Sequence, residues 1–130
     1  MSVEWLGEEW VRATTEALSE RAPKADGASG LVAIDVAGKD GGSYWRRWED
    51  GVPRAGGTGK PDEPPDLTLG LPVDDARAFW RGEWSPSVAY MRGQLRAAGD
   101  MTLLFALLAA SARPEVADVL RSVDAEVSGG

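Results

Sequence analysis

Gly56-Gly57-Thr58-Gly59-Lys60 is the stretch that first suggests chemistry, because clustered glycines before a lysine can cradle phosphate. Such a loop needs Ser or Thr after the lysine to hold magnesium, and a helix whose N-terminal amides face the phosphate. Pro61 stands after the lysine and no helical pattern follows, so a flexible surface loop is expected. Asp74-Asp75 could ligate a hard cation, although two acids in the first turn of a helix equally complement its dipole. Asp62, Glu63 and Asp66 are interrupted by prolines and lack the spacing of a calcium loop, which leaves them solvated. Asp35 sits mid-strand and would be a general acid or base if buried; on a solvated sheet face it is an ordinary carboxylate. Arg46 and Arg47 fall on opposite strand faces, so at most one points inward. A buried arginine could hold a ligand carboxylate by a bidentate pair; the other reading is surface charge.

The 130-residue chain contains neither histidine nor cysteine. Disulfides, Cys/His zinc sites, Ser-His-Asp and Cys-His nucleophiles and histidine acid–base chemistry are thereby excluded. No catalytic residue, metal or cofactor is assigned. A formal charge of −7 disfavours nucleic acid and docking on anionic membranes. The hydrophobic fraction, 43%, is enough for one core. Met1 to Glu9 has no basic flank or apolar run, and Ser128-Gly129-Gly130 is not a peroxisomal address. Leu103 to Ala110 is far shorter than the ~18–20 residues of a membrane span, so no stable membrane insertion is expected. A soluble cytoplasmic protein is the expectation. The absence of Asn, the single Ile34 and the preference for Arg over Lys suggest a high-GC bacterial genome.

These side chains need elements to position them. Val3, Leu6, Trp10, Ala13, Ala17 and Leu18 recur at helical spacing, with Ser2 as a cap and Pro23 as the stop. Leu31 to Ala37 alternates, placing Val32, Ile34 and Val36 on one face of a strand. Tyr44 to Glu49 completes a hairpin, and Arg46 and Glu49 suggest a sheet face in water. Val52 to Ala55 is a weak third strand, Gly56 to Pro65 a loop, and Asp66 to Leu71 a fourth strand. Pro72-Val73-Asp74-Asp75 starts a helix that runs through Arg81 and ends at Gly82; Ser85 and Pro86 open a short one that Gly93 ends. Gln94 to Ala98 is a fifth strand. Asp100 caps a helix with almost no polar face, and Pro114 to Val123 is a last amphipathic helix. The order α-β-β-β-β-α-α-β-α-α, with four successive strands in hairpins, is an antiparallel-dominated α+β domain over residues 1–130.

Six tryptophans are read either as plain core packing or as aromatic surface beyond what one core takes up. Trp45 and Trp48 lie on opposite faces of one strand, Trp5 falls off the stripe of Leu6 and Trp10, and Trp80 and Trp84 flank a helix end. This surplus aromatic surface suits a ligand cavity or an interface.

Gly59-Lys60-Pro61-Asp62 and Leu67-Thr68-Leu69 are followed by Asp75 opening a helix and Gly82 closing it. Pro86-Ser87-Val88-Ala89-Tyr90-Met91-Arg92-Gly93-Gln94-Leu95-Arg96 comes next, then Gly99-Asp100-Met101 and the Leu-rich helix. In these motifs, without a gap from Leu71 to Met101, the chain resembles the sterol carrier protein 2 family of lipid-binding domains. The resemblance implies an SCP2-like α+β fold: a five-stranded, mostly antiparallel sheet with helices packed on one face around a hydrophobic tunnel. It also implies an apolar ligand such as a sterol or a fatty acyl chain. Trp48, Phe79, Trp80, Trp84, Tyr90, Met91, Met101, Leu104, Phe105 and Leu108 are the expected ligand-binding residues. In the Leu-rich helix, Met101, Leu104, Phe105 and Leu108 are assigned to the cavity, and Leu103, Leu107 and Ala110 to the last helix. The bulk of Trp80 and Trp84 would narrow the tunnel and favour a small metabolite over a sterol, and the last helix would cover or replace part of the ligand exit.

The expected function is binding, with transfer or sequestration, of a hydrophobic small molecule. The alternative is a cofactor-independent enzyme acting on a polyketide-like or acyl intermediate, with Asp35 as its acid or base. A third reading is an interaction module whose cleft receives a partner helix, and a homodimer is left open.

Overall fold

The computed structural model describes residues 3–127, so Ser2 and Ser128-Gly129-Gly130 lie outside it. The elements are α1 (Glu8–Arg21), β1 (Gly30–Ala37), β2 (Gly42–Glu49), β3 (Val52–Thr58), β4 (Leu67–Pro72), α2 (Val73–Trp80), α3 (Pro86–Met91), β5 (Arg96–Gly99), α4 (Met101–Ser111) and α5 (Pro114–Val127). This is the expected order, in a five-stranded α+β fold. The caps behave as their chemistry dictates. Ser85 accepts from the Val88 amide, and Asp100 accepts from the Leu103 amide at 3.1 Å. Gly82 and Gly93 end α2 and α3 with φ of +73° and +77°. At Gly82 a Cβ would also lie 3.0 Å from the Ala117 carbonyl oxygen of α5, so the glycine allows the two helices to close up.

The sheet order is β3-β2-β1-β4-β5. Here the expectation of four strands in hairpins fails. β4 does not pair with β3; it crosses back and runs parallel to β1, with Val32 opposite Leu67 and Ile34 opposite Leu69. Asp66 pins the crossing. Its carboxylate accepts from the Leu31 amide at 2.8 Å, and its own amide donates to the Leu31 carbonyl. The other pairings are antiparallel.

Several element boundaries also move, β5 to Arg96–Gly99 and the end of α5 to Val127 among them, and two of the shifts bear on packing. α1 starts at Glu8 rather than Val3, because Leu6 adopts a left-handed φ of 62° and Gly7 is the N-cap. That turn folds Trp5 back onto Trp10, with ring centroids 5.0 Å apart. β3 extends through Gly56, Gly57 and Thr58, in place of the expected loop. The glycines are there for close packing. A Cβ on Gly56 would meet the Thr15 hydroxyl at 2.8 Å on the α1 side, and one on Gly57 would meet the Trp45 indole at 2.9 Å on the other.

Val32, Ile34, Val36, Tyr44, Arg46 and Leu67 form the buried face of the sheet. The opposite face carries Asp35, Arg47 and Glu49, all exposed, and Arg47 pairs with Glu63 at 3.0 Å. Among the described residues, no helix is long and apolar enough to cross a membrane.

Candidate functional site

Between the inner sheet face and helices α2, α4 and α5 lies a cavity of about 190 Å³. Ile34, Tyr44, Trp48 and Leu71 form its floor. Phe79, Trp80 and Trp84 wall one side, and Leu104, Leu107 and Leu108 of α4 another. Val116, Val119 and Leu120 make α5 a wall of the cavity. α5 is held against α1 by the Arg21–Glu126 ion pair and by Arg21 donating to the Ser122 hydroxyl.

Six of the expected residues line this space: Trp48, Phe79, Trp80, Trp84, Leu104 and Leu108. Tyr90, Met91, Met101 and Phe105 do not. Phe105 is 55% exposed and Met91 84%, and Tyr90 meets Phe105 edge-on at 6.2 Å away from the cavity. Met101 packs against the core without reaching the cavity. The assumed rotation of α4 is therefore corrected: Leu107, expected to face only α5, borders the cavity, and Phe105 points outward. A helix that is apolar all round offers no polar stripe to orient it; its contacts with α3, β4 and α5 choose the rotation.

The polar surprise is Arg46. Its partners in register, Val32 across β1 and Leu67 beyond, place it on the inner face, and it is only 2% exposed. The expectation that Arg46 faces water is corrected; Arg47 does so instead. The guanidinium donates from Nη2 to the Thr14 hydroxyl at 2.7 Å and from Nη1 to the Thr15 hydroxyl at 3.4 Å. It lies 5.2–5.6 Å from the ring centroids of Tyr44, Trp80 and Trp10, within cation–π range. Trp10 itself meets Tyr44 and Trp80 edge-on at 5.4 and 5.3 Å. Alternation is the signal that could have found this cage: residues 44, 46 and 48 must share a face, and Trp48 is among the expected cavity residues.

Burial pushes the Tyr44 phenol above its ordinary value, partly offset by the Arg46 charge. A raised folded-state value means that this contribution to stability is complete below about pH 10 and is lost as pH climbs through the folded value. Urea midpoints measured from pH 8 to 11 should therefore fall with pH in the wild type and fall less steeply in Tyr44→Phe. Equal slopes would show that Tyr44 is not the coupled group.

Asp35, the candidate acid or base, sits on the outer sheet face and accepts from the Ser43 hydroxyl; it does not line the cavity. Asp74 and Asp75 occupy the first turn of α2.

The SCP-2 sterol transfer family matches residues 12–110. The chain belongs to that family. Human hydroxysteroid dehydrogenase-like protein 2 is 29% identical over 102 residues, covering 77% of this chain. The Pongo abelii counterpart is 30% identical over 102 residues. The chain spans only 23% of the length of either relative. A crystal structure of sterol carrier protein 2 superimposes with a TM-score of 0.67 at 20% identity, covering 91% of this chain and 98% of that one. A Thermus thermophilus protein described as possibly a sterol carrier protein gives 0.70 at 21% identity, covering 95% and 92%. Palmitated sterol carrier protein 2-like 2 from Aedes aegypti gives 0.59 at 17% identity, covering 87% and 96%. These superpositions show that the chain has the SCP-2 fold.

Proposed function

We propose that this SCP-2 domain binds a slender apolar small molecule, an acyl chain rather than a sterol, in the cavity between the sheet and α2, α4 and α5. The carrying observation is the cavity itself, which is lined by aliphatic and aromatic side chains from β1, β2, β4 and the helices. At about 190 Å³ it is smaller than the ~300–1,000 Å³ of common ligand sites. Phe79, Trp80 and Trp84 fill the space on one side. The palmitated Aedes protein of the same fold supports an acyl guest. Carriage or sequestration of that guest, without chemistry, is the role this reading assigns.

The test is titration with 11-(dansylamino)undecanoic acid, excited through the tryptophans. Trp48, Trp80 and Trp84 line the cavity, so saturable energy transfer at micromolar probe is expected. Leu107→Trp, which fills the cavity from the α4 wall, should weaken binding at least about tenfold while the protein stays folded. Absence of a saturable signal from the folded wild type would sink the proposal.

A further inference from the structure

We propose that the guest is an amphiphile with one ionised acidic group, most simply a carboxylate, bound head inward with that group on Arg46. This rests on the cavity being a ligand site.

Arg46 borders the cavity and is buried, yet none of the seven ion pairs among the described residues includes it. Its hydrogen-bond acceptors are neutral hydroxyls. Thr14 and Thr15 pass their own protons to the carbonyls of Trp10 and Val11, which turns their oxygens towards the guanidinium. No carboxylate lines the cavity. Three rings face the cation but cannot neutralise it. Burial pulls the guanidinium below its ordinary value, and the Tyr44 hydroxyl, a neutral group below the phenol's own titration, opposes this only in part.

A guanidinium presents five donors in a planar fork, and the two threonines take up two of its nitrogens from one side. A carboxylate entering from the cavity would find the remaining donor capacity in a low-dielectric setting, where a charge-assisted pair is strongest. A wholly apolar guest would cover the cation and leave it unpaired, which is costly. The chain's net charge of −7 disfavours anions from outside, so a preference for an acid would point to Arg46, the buried cation among the described residues.

Decanoate, decan-1-ol and methyl decanoate would be titrated by competition against the dansyl probe and by calorimetry. The wild type should bind decanoate at least about tenfold tighter than the alcohol or ester. Arg46→Met should reduce that ratio to below about threefold. Arg46→Lys, which keeps the charge, should retain part of the preference. The wild type also carries a readout of its own: nuclear Overhauser contacts from the decanoate C2 protons are expected to the Tyr44 and Trp80 rings. If the wild type binds alcohol and acid equally, the inference falls and the cavity reading stands. The same holds if the C2 protons contact neither ring, or if Arg46→Met keeps the acid preference. If none of the three ligands binds the folded protein, both fall.

Discussion

Trp10→Ala is expected to cost about 3–5 kcal/mol of unfolding free energy. Trp10 is 2% exposed and joins three layers at once. It meets Trp5 from the N-terminal turn, Tyr44 from the sheet and Trp80 from α2, each ring edge-on. Edge-to-face contacts add about 0.5–1.5 kcal/mol each to what area alone supplies. Truncation would leave a void among Trp5, Tyr44 and Trp80, and would strip one ring from the Arg46 cation. Against the ~5–15 kcal/mol that typically holds a domain together, this is a large fraction. Urea unfolding should show the midpoint falling by more than about 1 M. A fall of less than half of that would mean that α1 is anchored elsewhere.

Leu104→Ala and Phe105→Ala should separate sharply although the residues are neighbours. Leu104 is 1% exposed and packs in the core beside the cavity, so its loss should cost about 2–5 kcal/mol. Phe105 is 55% exposed, with Tyr90 as its ring partner, so its loss should cost less than about 1 kcal/mol. Chemical denaturation of the two variants side by side reads the difference. The opposite order would mean that α4 is rotated so that Phe105 faces inward.

That pair shows where sequence reading stops. The eleven residues of α4 include one threonine and one serine as their only polar side chains. Periodicity therefore identifies a buried helix but not its direction. The register of β2 shows the complementary limit: parity separates Arg46 from Arg47 and groups Arg46 with Trp48, and the pairing with Val32 on β1 confirms that this is the inner face. The glycines at 56 and 57 read as a loop because their purpose, the approach of Thr15 and Trp45, lies in other elements. The parallel return of β4 is non-local in the same way, since no local pattern distinguishes a strand that will hairpin from one that will cross.

What the amino-acid sequence determined by itself was local and motif-borne. Capping chemistry at Ser85 and Asp100, glycine stops at 82 and 93 and strand alternation at Val32, Ile34 and Val36 set the element order. The spacing from Leu71 to Met101 carried the family. The tertiary structure alone decided which faces meet. A cavity wall is shared by residues far apart in the chain, such as Trp48, Leu107 and Leu120. Their convergence depends on packing angles and register, which arise from all the contacts together. It is also why a buried cation could go unseen: Arg46 is charged in composition, and only the sheet and the three rings around it make it interior.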